Sequence, residues 1–293
     1  MKINEKAMLV HLRISMWTGS HKDGAVTQKV CNEFGVAKDA GTWWTHYVPP
    51  EELEGIKSAA GSVRNTWIKW TMPWLDGGVR IVPSGKYNAY LTAIQEAIKE
   101  YNKACDAFLL RYPAILEASP ERLKSLKDGK NMPSVDELRN RFGVTHDIFP
   151  MPSTEDFRLQ GVSEGDTEKI KEQMEESLKL AFDETLTYVW QSLLNLLEKV
   201  DKVMSEPNKK FKDSLIKNLE KFIDDLPSLN IVDDPGLEET RKKIIKQFMG
   251  IDPQDLRESD VLRKGIAKQA KAAITEITAR IGNVGRKIDL DIE

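Results

Sequence analysis

The stretch "YNAYLTAIQEAIKEYNKACDAFLLRY", residues 87–112, decides the architecture of this chain. Its apolar residues Tyr87, Leu91, Ile94, Ile98, Tyr101, Cys105, Phe108 and Tyr112 are spaced alternately four and three apart. That is a sustained seven-residue repeat, which places one side chain per turn on a single seam and predicts a long, coiled-coil-like helix. Such a seam packs against another helix, either of the same chain or of a second molecule. Tyr87, Leu91, Ile94, Ile98, Tyr101 and Phe108 are therefore the candidate residues for self-association or partner docking. Pro113 is expected to close or kink this helix.

Downstream the helical pattern continues. "SPERLKSL" (119–126) and "PSVDELRNRF" (133–142) each carry an N-terminal cap signature. "THDIFPMPSTEDFRLQG" (145–161), with its prolines, alternating apolar residues and terminal glycine, reads as an extended connector. A second long helix spans roughly 164–204. Ile170, Met174, Leu178, Ala181, Val189, Leu193, Leu196, Val200 and Val203 form its main stripe, widened by Leu186, Leu197 and Met204. Helices at about 208–226, 236–249 and 259–281 follow. The acid-proline pair Asp234-Pro235 supplies an N-cap and a first helical residue.

Upstream the period changes. In "AMLVHLRISMW" (7–17), Val10, Leu12, Ile14 and Met16 alternate with His11, Arg13, Ser15 and Trp17, the pattern of a half-buried strand. "GSHKDG" is a polar turn, and Thr27 is placed to cap a short helix over "QKVCNEF". "GTWWTHYV" is a second strand. Pro49-Pro50 and the three glutamates Glu51, Glu52 and Glu54 open a helix that runs to about Trp70. "DGG" (76–78) is a turn and "VRIVP" (79–83) a third strand. The chain is thus expected to be α+β and mainly α: a small N-terminal mixed-sheet module (1–83), a long helix with a helical and extended connector (84–162), and a helical bundle of long antiparallel helices (163–293).

Bulk properties narrow the function. With 293 residues, 40% apolar and 30% charged, the chain can bury a real core and is rich in solvated helix. A net charge of −3 argues against coating DNA by bulk electrostatics. Residues 1–112 carry 14 Lys and Arg against 11 Asp and Glu, so any polyanion-facing surface belongs there. Two cysteines, Cys31 and Cys105, make neither a disulfide framework nor a zinc site. The N-terminus lacks the apolar region of a signal peptide and no run approaches a membrane span, so a cytoplasmic location is expected.

Catalytic patterns are missing. "VPSGKY" approaches a phosphate-binding loop, but the required early glycine is Arg80 and the required Ser or Thr is Tyr87. What remains is a helix start with Ser84 as cap and Lys86 in the first turn, an ordinary capped helix or a site for an isolated phosphate. The four histidines have no metal-ligand spacing, although His11 and His46 stand on two predicted strands. No nucleophile has a local base. No cofactor, metal or enzyme activity is expected.

The tryptophans raise a different reading, because six of seven precede residue 75. Trp67, Trp70 and Trp74 are spaced like one helical face, which suits a core. Trp17 shares its strand face with Arg13, which suits base stacking by single-stranded nucleic acid. Arg13, Trp17, Lys69, Arg80 and Lys86 are the candidate nucleic-acid residues. Core packing, a protein contact and base stacking all remain open for these rings.

Several of these segments carry a resemblance as well. "LRISMWTG" (12–19), "GGVRIVPSGKY" (77–87), "FLLRYP" (108–113), "FPMPSTEDFRL" (149–159) and "FKDSLIKNLEKFIDDLPSLNIVDDP" (211–235) together resemble an uncharacterised family of phage- and plasmid-encoded bacterial proteins. The resemblance is collinear over nearly the whole chain and brings no catalytic residues with it. It implies a mobile-element setting beside MoxR-type AAA+ ATPases and von Willebrand-type domains, hence an adaptor or recruiting partner. The expectation is a non-enzymatic interaction protein, a homo-oligomer or a partner of an AAA+ ATPase, acting through its long helices. The alternatives are a single-stranded DNA-binding or annealing protein and an inhibitor of a host defence protein.

Overall fold

The computed structural model describes residues 3–75, 78–127, 132–152, 163–207 and 209–282. The chain runs through α1 (Ile3–Lys6), β1 (Ala7–Ser15), β2 (Ser20–Lys22), α2 (Gly24–Phe34) and β3 (Trp44–His46). A 3-10 turn at Pro50–Leu53 leads into α3 (Glu54–Trp70), β4 (Met72–Pro73), β5 (Val79–Pro83) and α4 (Tyr87–Leu123). There follow α5 (Val135–Arg139), β6 (Gly143–Pro150), α6 (Glu164–Ser205), α7 (Ser214–Leu229), α8 (Pro235–Phe248), α9 (Pro253–Glu258) and α10 (Asp260–Ile281). The protein is α+β and mainly α, with a small sheet near its start and long helices after it.

These elements form two compact units, neither of which is continuous in sequence. The first draws on the described residues of Met1–His11, Trp70–Asn88 and Ile148–Glu293, the second on Leu12–Lys69 and Ala89–Asp147. This division differs from the three consecutive segments 1–83, 84–162 and 163–293. β1, α4 and β6 each contribute residues to both units, so no boundary falls in a linker.

In the first unit, β1 pairs antiparallel with β5 (Leu9 opposite Ile81, His11 opposite Val79), and β5 pairs with β4. The sheet order is β4-β5-β1-β6, so the stretch read as an extended connector supplies a strand; its part beyond residue 152 up to 161 lies outside the described residues. Ala7, Leu9, Met72 and Ile81 are buried in one core with the helices α6 to α10. The α6 stripe advances three and one residues at a time through Ala181, Phe182, Thr185, Leu186, Val189, Trp190, Leu193, Leu194 and Leu197, all buried. That spacing keeps a broad face turned inward for about five turns. α10 lies antiparallel to α6: Arg263 near its start reaches the carbonyls of Val203 and Glu206, and Arg280 near its end stands over the Trp190 ring.

Local signals account for most helix starts. Asp234 accepts from the Gly236 amide at 2.9 Å, and Asp252 from Gln254 at 2.8 Å, each ahead of a proline. Ser134 and Glu137 close a reciprocal capping box on α5. Other expectations change. Asp23 rather than Thr27 caps α2, accepting from the Val26 amide at 3.1 Å, while Thr27 lies one turn in. Ser84 caps nothing; Ser84–Lys86 is a 3-10 turn that precedes α4. α3 stops at Trp70 because Pro73 disfavours helical geometry at the residue before it, and Met72 pairs in β4 instead. Trp74 therefore leaves the helical face shared with Trp67 and Trp70.

In the second unit α4 does not end at Pro113. It continues through Pro113 and Pro120 to Leu123. Ser119 is not an N-cap but a buried interior residue whose hydroxyl donates to the Leu116 carbonyl at 2.7 Å. Pro120, lacking an N–H, leaves that same carbonyl without its usual partner. β2 and β3 form a separate antiparallel ribbon, with Lys22 opposite Trp44 and Ser20 opposite His46. Gly19 enters this ribbon at φ +70°, and a Cβ there would stand 2.7 Å from Leu53 Cδ1 and 2.8 Å from Val48 Cγ2. Only glycine fits.

Candidate interaction sites

The seam on α4 is filled by the chain itself. Ile94, Tyr101, Cys105, Phe108 and Tyr112 are buried, whereas Tyr87, Leu91 and Ile98 are only half-buried. Tyr90 and Leu109, outside the heptad, are buried in their place. Tyr101 donates to the Ser15 carbonyl at 2.6 Å and Tyr112 to the Pro133 carbonyl at 3.0 Å. Burial raises both phenols above their ordinary pKa, Tyr112 to about 12, and raises the Cys105 thiol too, which leaves it a poor nucleophile. The proposed self-association seam is thus an intramolecular packing face, and Tyr87 falls in the other unit from Leu91, Ile94, Ile98, Tyr101 and Phe108.

The nucleic-acid set does not assemble either. β1 ends at Ser15, so strand alternation no longer governs Trp17. Its ring is 7% exposed and packs edge-on against Tyr112 at 5.9 Å and beside Phe108 at 6.3 Å. Arg13 and Lys69 are exposed in the second unit, while Arg80 and Lys86 belong to the first. The Arg80 guanidinium donates to Thr71 Oγ1 at 2.7 Å and to its carbonyl at 2.9 Å, and burial lowers its pKa against the pull of Tyr188. Lys86 is paired with Asp225 at 2.5 Å. Neither presents a free cation to a phosphate. His11 and His46 stand in different sheets.

Which tryptophans stay in water is now plain. Trp74 is buried against Phe182, with ring centroids 5.1 Å apart, and Trp190 is buried in the α6 stripe. Trp67 and Trp70 are half-buried. Trp43 and Trp44 are 45% and 52% exposed. Spacing gave no warning of this pair, since a three-residue strand has too few positions to reveal a face.

Among the described residues each unit holds a concave surface. In the first unit an apolar groove of about 240 Å³ is lined by Trp74, Leu75, Pro152, Ile170, Met174 and Leu178. Ile170 and Met174 continue the i, i+4 spacing of the α6 stripe but are only half-buried. In the second unit a polar cavity of about 210 Å³ is lined by Lys22, Thr27, Gln28, Lys38, Gly41 and Thr42, among others. Among the described residues no group of three or more His, Cys, Asp or Glu is placed to hold a metal ion. No described helix is long and apolar enough to cross a membrane.

No family model matches this chain, and no curated protein or solved structure shows significant similarity to it.

Proposed function

We propose that this chain is a non-enzymatic interaction protein that docks a protein partner at the open end of the α6 stripe. The observation that carries the reading is the groove itself. Ile170 and Met174 keep the spacing of the buried stripe yet line an apolar trough with Trp74, Leu75 and Pro152. A continuation of a helix seam that no described residue fills is the surface an amphipathic partner helix covers. Methionine, unbranched and polarizable, adapts to such a partner.

The resemblance to phage- and plasmid-encoded proteins supports a mobile-element setting in the bacterial cytoplasm, with an AAA+ ATPase as the partner class. Inhibition of a host defence protein uses the same kind of contact. Homo-oligomerisation through this groove replaces the α4 seam as the route to self-association, because the seam is occupied.

Light scattering of the purified chain, alone and mixed with an AAA+ ATPase encoded beside it, tests the reading. A complex or homo-oligomer that disappears in Met174→Glu, with the melting temperature unchanged, supports it. A chain that stays strictly monomeric and binds no ATPase overturns it.

A further inference from the structure

The β2–β3 ribbon and the polar cavity beside it share one residue, Lys22. It lines the cavity and stands directly opposite Trp44 in the antiparallel register. Directly opposed residues of such a pair project from the same face, with Cβ atoms about 5 Å apart. Half of the Trp44 surface lies in solvent, and its position is fixed through its neighbour. The Trp43 carbonyl accepts from the Asp23 amide at 2.9 Å, and the Trp43 amide donates to Thr27 Oγ1 at 2.9 Å. An exposed indole on a hydrogen-bonded backbone therefore stands across the ribbon from a lysine of a cavity that carries two lysines.

The lining of that cavity is selective in charge. Lys22 and Lys38 are accompanied by the hydroxyl residues Thr27 and Thr42 and by Gln28, and no carboxylate is among the lining groups. The neighbouring acid, Asp23, is buried, with one oxygen accepting from the Val26 amide and the other from the Thr45 hydroxyl. Lys22 and Lys38 form no ion pair with a described residue, unlike Lys86 with Asp225. Farther along the Trp44 face stands exposed His46, whose carbonyl accepts from Arg122.

We propose that this lobe binds single-stranded nucleic acid, holding one phosphate in the cavity between Lys22 and Lys38 and stacking the adjoining base on Trp44. The chemistry is that of single-strand sites in general, where cations follow the backbone and an aromatic face takes the base. Here it uses none of the residues that the sequence nominated. A duplex does not fit, because its bases are already stacked. The inference is independent of the α6 groove.

Fluorescence anisotropy of a labelled oligothymidylate at several salt concentrations tests it. The wild-type chain is expected to bind, with affinity falling as salt rises. Trp44→Ala should weaken binding about tenfold at unchanged salt slope. Lys22→Ala and Lys38→Ala should each flatten the log–log slope by about 0.7. All three positions are exposed, so unchanged melting temperatures certify the fold. Absence of wild-type binding overturns the proposal, as does binding indifferent to these substitutions. Displacement by free thymidine monophosphate as effectively as by oligothymidylate also overturns it, since the ligand would then be a mononucleotide.

Discussion

Ser119 donates its hydroxyl to the backbone carbonyl of Leu116 at 2.7 Å, three residues back in α4. Leu116 is the residue whose carbonyl an amide at position 120 would bond, and position 120 is proline. The side chain thus supplies the donor that the next residue lacks, and the helix carries on to Leu123. Ser119→Ala should cost about 1 kcal/mol, the loss of one hydrogen bond to a part-buried carbonyl. In a Pro120→Ala background, where the amide is restored, the same change should cost far less. Urea unfolding of the four-member double-mutant cycle measures the coupling, and additive effects would show that the two residues act separately.

Trp17 is the residue on which the base-stacking and core readings differ most. Buried against Phe108 and Tyr112, it belongs to the packing of the second unit. Trp17→Ala should lower stability by about 3–5 kcal/mol, and Trp17→Phe by less. Thermal unfolding followed by circular dichroism checks this. A Trp17→Ala protein that melts like wild type would return the ring to the surface.

Tyr90 and His146 give the second unit a pH dependence. The Tyr90 hydroxyl and His146 Nε2 lie 2.6 Å apart, and burial holds the imidazole pKa below its ordinary value against the pull of Asp147. A neutral imidazole accepts from the phenol. The unfolded chain binds a proton at about pH 6.5, before the folded chain does, so stability is complete above that value. It is lost as pH falls toward the lowered native pKa and levels off below it. Between about pH 7.5 and about 5 the melting temperature of wild type should fall more than that of His146→Gln. Parallel curves would exclude the imidazole as the source.

Arg263 is buried, yet its partners are backbone carbonyls rather than carboxylates. Its guanidinium donates to Val203 at 3.0 Å, Glu206 at 2.9 Å and Lys209 at 3.2 Å. A helix end leaves its last carbonyls unpaired, and here a side chain from α10 satisfies those at the end of α6. Arg263→Ala should cost at least about 2 kcal/mol. Arg263→Lys should recover only part of it, because an ammonium cannot fork across several acceptors. The urea midpoint of the first unit reports both; equal midpoints for wild type and Arg263→Ala would refute the capping role.

The sequence by itself determined the features that depend on near neighbours along the chain. The α6 stripe is legible because Leu178 through Met204 keep a helical spacing whatever they pack against. Asp234-Pro235 and the Ser134–Glu137 box are legible because a cap and its target lie within three residues. The alternation in β1 marks a strand, and β1 is one, although Ala7, Leu9 and Val10 are all buried where the pattern expected alternating sides.

Tertiary structure alone decided which face of a helix meets which distant segment. Tyr101 finds its acceptor at Ser15, 86 residues away, and this contact turns that part of the α4 seam inward. The buried face of α4 then turns toward Tyr90 and Leu109 rather than Leu91 and Ile98, a shift too small for spacing to resolve. Trp17 turned inward because the strand ends two residues before it. Trp44 was left in water because a ribbon only three residues long buries Thr45 alone. Periodicity records what a segment can bury, but only the arrival of a partner from elsewhere in the chain decides what it does bury.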